Sequence, residues 1–153
     1  MYIDFKILNK DNIDDVILFE NNLRKDEKDV YGWDIDESYI NKIKDSFDDE
    51  SFSNSFSILA YDNEKVVGRI DISIIASHFD GVKKGYLDWI CVLKSYRHHG
   101  IAQMLLNETR NVLKEKGIDV LIALTASNDE AQRFYNSIPD ATFMDKGIWI
   151  DIK

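Results

Sequence analysis

Residues 86–106 read YLDWICVLKSYRHHGIAQMLL. An almost unbroken apolar run, YLDWICVL, passes through a short polar turn into a segment whose apolar positions recur at helical spacing: Ile101, Leu105, Thr109, Val112 and Leu113. The first half predicts a central strand, the second an amphipathic helix beginning between His99 and Ala102. The turn joining them gathers Arg97, His98, His99 and Gly100. Helix N-termini expose about four backbone N–H groups without internal partners and carry partial positive charge. Gly100 and Ala102 have minimal side chains, so an anion can approach the main chain there, and Arg97 supplies a forked cation beside it. The residues alone leave two readings open: a phosphate cradle, or an ordinary helix start with charged decoration.

The flanking segments supply a topology. YIDFKILN reads as a strand, followed by two amphipathic helices, DNIDDVILFENNLRKD and DESYINKIKDSF. SFSILAYD and KVVGRIDISIIAS are rich in β-branched and aromatic residues and are separated by DNEK, which predicts a hairpin. After the helix at Gly100, IDVLIALTA predicts a buried strand and NDEAQRFYNSI a helix, and ATFMD with GIWIDI predicts a closing hairpin around Lys146–Gly147. The order β-α-α-β-β-β-α-β-α-β-β describes an α/β (α+β) fold: a mixed, mostly antiparallel, splayed sheet flanked by about four helices.

A chain of 153 residues with one proline predicts a single domain over residues 1–153. The lone Cys91 cannot form an internal disulfide, so a reducing, cytoplasmic compartment is expected. No apolar stretch approaches the roughly 20 residues of a membrane span, and the acidic, alternating start MYIDFKILNKDNIDD is unlike a signal peptide. Residues 11–50 hold fourteen acidic against five basic residues, whereas the remainder is balanced, so the net charge of −9 lies in that block. Such a chain is no general nucleic-acid binder. The block suits a solvated helical face or a funnel for a cationic partner. The two histidines lack companions at ligand spacing, so no metal site is expected.

The stretch from Val92 through Arg97, His98, His99, Gly100, Ile101 and Ala102 resembles the signature of the GNAT superfamily of N-acetyltransferases, and Asn128-Asp-Glu-Ala131-Gln-Arg-Phe134-Tyr135 is similar to that family's second helical motif. The element order matches across nearly the whole chain. His98 and His99 stand where Gly and Lys are common, Ala102 replaces a Gly, and the Gly-Phe pair expected near Pro139 and Asp140 is absent.

The resemblance implies acetyl-CoA as co-substrate, its pyrophosphate held at residues 97–102 and its pantetheine arm along Ile90, Cys91 and Val92. It implies further contacts from Asn128 and Ala131, and a Tyr135 phenol placed to protonate the departing thiolate. Cys91 is not expected to act as a nucleophile. Asp88 interrupts an apolar strand, and regular alternation puts it on one face with Ile90 and Val92. It either binds the acceptor's ammonium group or relays its proton, or it pairs with Lys83 or Lys84. Trp33, Tyr31 and Trp89 are candidates for the wall of an acceptor pocket.

The expected activity is direct acetyl transfer to a primary amine of a small cationic acceptor, polyamine- or aminoglycoside-like. The alternatives are a non-catalytic acyl-CoA sensor and acetylation of a protein or peptide amine. No membrane or nucleic-acid partner is expected. Members of the family often pair as homodimers, and no patch of this sequence marks an interface.

Overall fold

The computed structural model describes residues 1–28 and 33–152. Strand β1 (Ile3–Ile7) ends at a reciprocal cap in which Asn9 Oδ1 accepts the Asp11 N–H and Asn12 Oδ1 accepts the Asn9 N–H, both at 2.8 Å. This turn launches helix α1 (Ile13–Asp26), whose stripe of Ile13, Val16, Phe19 and Leu23 is buried. Glu20 lies in the same stripe and is buried too, which is costly for a carboxylate unless it is paired. Helix α2 (Glu37–Ser46) starts where Asp36 accepts the Tyr39 N–H.

Strands β2 (Ser55–Asp62), β3 (Lys65–Ala76) and β4 (Lys83–Val92) follow as an antiparallel meander. Helix α3 (Ile101–Glu115) crosses over to β5 (Leu121–Ala123), and helix α4 (Asp129–Asn136) comes next. The sheet order is β1-β2-β3-β4-β5, antiparallel except for the β4–β5 pair. The parallel pair follows from the helical crossover, which brings the chain back in its original direction.

Helix α3 packs so closely on one sheet face that a side chain at either of two glycines would crowd it. A Cβ at Gly85 would lie 2.8 Å from Leu113 Cδ1 and 3.1 Å from Leu121 Cδ1, and one at Gly68 would lie 3.1 Å from Leu105 Cδ1. Replacing Gly85 with valine should therefore destabilise the protein by about 1–3 kcal/mol through overpacking, read as a lower urea midpoint at unchanged slope. Helix α1 covers the other face, where Tyr61 donates to Asp15 at 2.8 Å and Arg69 to Glu20 at 3.2 Å.

The register of β3 on β4 slips once. Asp71 faces Trp89 and Ile72 faces Leu87, so Asp88 is an extra residue on β4, a β-bulge. Opposed residues share a sheet face: Ile72 with Leu87, Ile70 with Ile90, Gly68 with Val92. Ile90 and Val92 therefore lie with Leu87 on the α3 face. Asp88 lines a cleft on the opposite face with Arg69 and Asp71. Regular alternation would have grouped Asp88 with Ile90 and Val92, and the bulge separates them.

The four expected helices and five of the seven expected strands are present among the described residues. Residues 141–152, for which a closing hairpin is expected, form no strand. The neighbouring β5 pairs over only three residues, too short an edge to register a further hairpin. Phe143, Met144, Ile148, Trp149, Ile150 and Ile152 are exposed and add nothing to the core.

Candidate active site

Strand β4 has neighbours on both edges only as far as Leu87. Its pairing with β5 joins Gly85 to Leu121, Tyr86 to Ile122 and Leu87 to Ala123, and then stops. From Asp88 to Val92 the outer edge of β4 has no strand beside it among the described residues. This includes Ile90, Cys91 and Val92, of which Val92 is buried and the other two partly so. An unpaired strand edge is a row of backbone donors and acceptors ready for an extended ligand.

That edge leads through a 3-10 turn (Lys94–Tyr96) to the N-terminus of α3. Gly100 caps this helix at φ 78° with no side-chain hydrogen bond, and His98 also takes a left-handed conformation at φ 63°. A Cβ built on Gly100 would meet only Met104 Cε, at 3.9 Å, so the space before the first-turn amides of Ile101 and Ala102 is open. His99 turns back, its Nδ1 lying 2.8 Å from the Arg97 carbonyl oxygen. These features fit a diphosphate group: uncapped amides, small residues and no acidic side chain in the first turn.

Arg97 does not stand as a free cation beside them. Its Nε donates to the Val92 carbonyl and its Nη1 to Glu27 and Glu130, each at 3.0 Å, while Nη2 makes a further short bond to Glu27. The guanidinium thus ties the ends of β4 and α1 to the first turn of α4. Its contribution to an anion site is the shape of the turn, because its charge is neutralised by two carboxylates.

On the other sheet face, α2, the segment after it, and strands β2–β4 enclose a cleft of about 860 Å³, within the size range of small-molecule sites. Its floor carries Ser57, Arg69, Asp71 and Asp88, and Tyr39 and Lys42 of α2 line its side. Arg69 is held between two carboxylates: Nε donates to Asp71 Oδ1 at 2.9 Å and Nη1 to Glu20 Oε1 at 3.2 Å. Arg24 donates to Glu20 Oε2 at 2.6 Å. The buried Glu20 is thereby paired twice. Ser57 Oγ makes a short donor bond to the same Asp71 Oδ1. Burial pushes the Asp71 carboxyl above the usual carboxylate range against the pull of Arg69 and Ser57, and the charge of Asp88 adds to the push.

Asp88 is exposed and makes no ion pair among the described residues. Lys84, one of its candidate partners, is bonded to Asp80 instead. Trp33 does not line the cleft; it is 57 % exposed, with the Arg24 guanidinium 5.1 Å from its ring. Trp89 lies beside Arg69, 5.8 Å from guanidinium to ring centroid. Tyr31 lies outside the described residues.

In α4, Asn128 is the N-cap, its Oδ1 accepting the Ala131 N–H at 2.9 Å. Tyr135 is 8 % exposed, and its ring packs edge-on against Phe134 at 5.2 Å. Its hydroxyl has no hydrogen-bond partner among the described residues, yet it is not sealed from solvent. Burial holds its pKa above the ordinary phenol value, and the nearby Tyr86 adds to the effect, so it keeps its proton at neutral pH.

Residues 20–138 match the model of the acetyltransferase (GNAT) family. N-alpha-acetyltransferase 30 of Schizosaccharomyces pombe is 29% identical over 84 residues, which cover 54% of this chain and 55% of that protein. The chain thus aligns with about half the length of this relative. Among solved structures, the aminoglycoside acetyltransferase meta-AAC0020 from an uncultured soil metagenomic sample, in complex with sisomicin, superposes with a TM-score of 0.82 at 16% identity, covering 99% of this chain and 97% of that one. AAC(6')-Iy in complex with the bisubstrate analogue CoA-S-monomethyl-acetylneamine gives 0.77 at 16% identity, covering 100% and 99%. At such identities the likeness is one of fold.

Proposed function

The chain belongs to the GNAT family of acetyltransferases, and from that premise we propose an acetyl-CoA-dependent N-acetyltransferase that transfers its acetyl group directly to a primary amine of a small cationic acceptor. The observation that carries this reading is the open edge of β4 beyond Leu87, continuous with the uncapped start of α3 and flanked at Asp88 by an acidic cleft. When bound, acetyl-CoA supplies the activated acyl group.

The protein's own residues do the rest. Ile90, Cys91 and Val92 hold the pantetheine arm through their main chain, and the turn from Arg97 through His98, His99, Gly100, Ile101 and Ala102 grips the diphosphate. Asn128 and Ala131 border the arm at the start of α4. Asp88, exposed and without an ion pair among the described residues, draws the acceptor ammonium to the strand bulge and accepts its proton, directly or through water, so that the neutral amine attacks the thioester carbonyl. The protonated Tyr135 phenol delivers a proton to the leaving thiolate. Transfer is direct from the thioester to the amine, as the family resemblance implies, with no acyl-enzyme on Cys91.

The cation preference rests on sign. Asp45, Asp49 and Glu50 stand at the mouth of the cleft or just beside it, within the acidic block of residues 11–50. The similarity to N-alpha-acetyltransferase 30 favours a peptide α-amine as the second acceptor class. We place the reaction in the cytoplasm, where acetyl-CoA is available and Cys91 stays reduced.

A thiol-release assay with acetyl-CoA against polyamines, aminoglycosides, amino acids and peptides tests the proposal. Polycationic amines are expected to give the highest kcat/KM, and added salt is expected to raise the KM for the amine by screening the cleft. No thiol release with any amine, from a protein that acetyl-CoA still stabilises against heat, would leave an acyl-CoA sensor in place of an enzyme.

A further inference from the structure

Asp71 is a charged residue in the middle of the sheet that neither motif accounts for. Its side-chain hydrogen bonds fall on one oxygen: Ser57 Oγ and Arg69 Nε both donate to Oδ1, and Arg69 Nη2 lies 2.9 Å from the same atom. Oδ2 accepts nothing among the described residues, and the side chain keeps 18% of its surface exposed. It therefore opens into the cleft that Asp71 lines. Asp71 faces Trp89, the residue next to the Asp88 bulge, and the two carboxylates are near enough for the charge of one to raise the pKa of the other.

Asp88 stands outside the ion-pair cluster that holds Asp71. Glu20 and Asp71 offset Arg24 and Arg69, and all four are linked by the bonds described above. Asp88 adds a negative charge outside that cluster at the floor of the cleft, which Lys42, Asp48, Asp49 and Glu50 also line. Two carboxylate oxygens pointed into one space repel each other unless a cation lies between them.

We infer that Asp71 is a second acceptor-binding residue, whose free Oδ2 grips the ammonium group of the incoming amine together with Asp88. The clamp on Oδ1 by Ser57 and Arg69 fixes the carboxylate's rotation, so the grip is directional as well as electrostatic. Asp88, exposed on a bulge, supplies charge; Asp71, rigid and partly buried, sets where the nitrogen stops. The inference rests on the acetyl-transfer reading only for the use made of the bound amine.

Calorimetric titration of the whole chain with spermidine and with 1,4-diaminobutane, at low ionic strength and without acetyl-CoA, tests it. Asp71→Asn should weaken spermidine binding at least about tenfold while the dissociation constant of acetyl-CoA stays within about twofold. Ser57→Ala, which keeps the charge and removes one of the groups that hold Oδ1, should weaken spermidine about threefold. It also gives the readout should Asp71→Asn fail to fold. Spermidine binding unchanged in both variants, equal loss of spermidine and acetyl-CoA binding, or no binding of either amine to wild type would each overturn the inference. Asp71-dependent amine binding by a protein that releases no thiol would uphold the grip and defeat the acetyl-transfer reading instead.

Discussion

Tyr135→Phe is expected to lower kcat about 10²–10³-fold while leaving acetyl-CoA affinity within about twofold of wild type. The substitution removes one oxygen from a ring that is 8 % exposed and packed on Phe134, so the hydrophobic contacts persist. The hydroxyl has no hydrogen-bond partner among the described residues, so its loss orphans none of them. Burial keeps the phenol protonated well above neutral pH, which is the form an acid needs. Single-turnover thiol release with saturating amine measures the chemical step. An equal loss of coenzyme binding and turnover would make Tyr135 a packing residue and move the proton donor elsewhere.

Gly100→Val should cost the protein its coenzyme. At φ 78° a β-branched residue is strained by about 1–2 kcal/mol, and relaxing that strain rotates the first-turn amides of α3 out of line. Losing even one or two charge-assisted hydrogen bonds, about 1.5–3 kcal/mol each, weakens acetyl-CoA by roughly 10²-fold. Gly100→Asn is the matched control, because asparagine tolerates the left-handed region and the space beyond Gly100 is open. Calorimetry should find near-native affinity for Asn and a large loss for Val. Similar affinities for both would mean that the main chain at this turn does not hold the diphosphate.

Some of this was legible in the residues and some was not. The strand-turn-helix passage from β4 into α3 could be read directly, since an apolar run and a helical repeat meet at a glycine. The helices were equally plain, each marked by its own apolar stripe. The bulge was invisible: a period of two tolerates one extra residue without any change in composition, so Asp88 fell on the wrong face. Nothing near Arg97 in the sequence marks it as paired, because its partners, Glu27 and Glu130, lie 70 and 33 residues away. The Glu20–Arg69–Asp71 cluster joins positions 49 and 51 apart in the chain. It did leave signs, a carboxylate inside the apolar stripe of α1 and an Arg-Ile-Asp alternation inside an apolar strand. The terminal hairpin was over-read, because GIWIDI alternates like a strand but finds no edge long enough to join.

The register slip at Asp88 separates what the fold needs from what the site needs. Before it, Gly85 and Leu87 point inward; after it, Ile90 and Val92 do. Omit that single residue and the inward positions fall into step on a regular ladder, with every core side chain still in place. Such a chain would be the same protein without its mouthpiece: a straighter sheet, sound in its interior, with one carboxylate fewer to offer an approaching cation. On the proposed reading, Asp88 serves the site at the expense of a regular ladder.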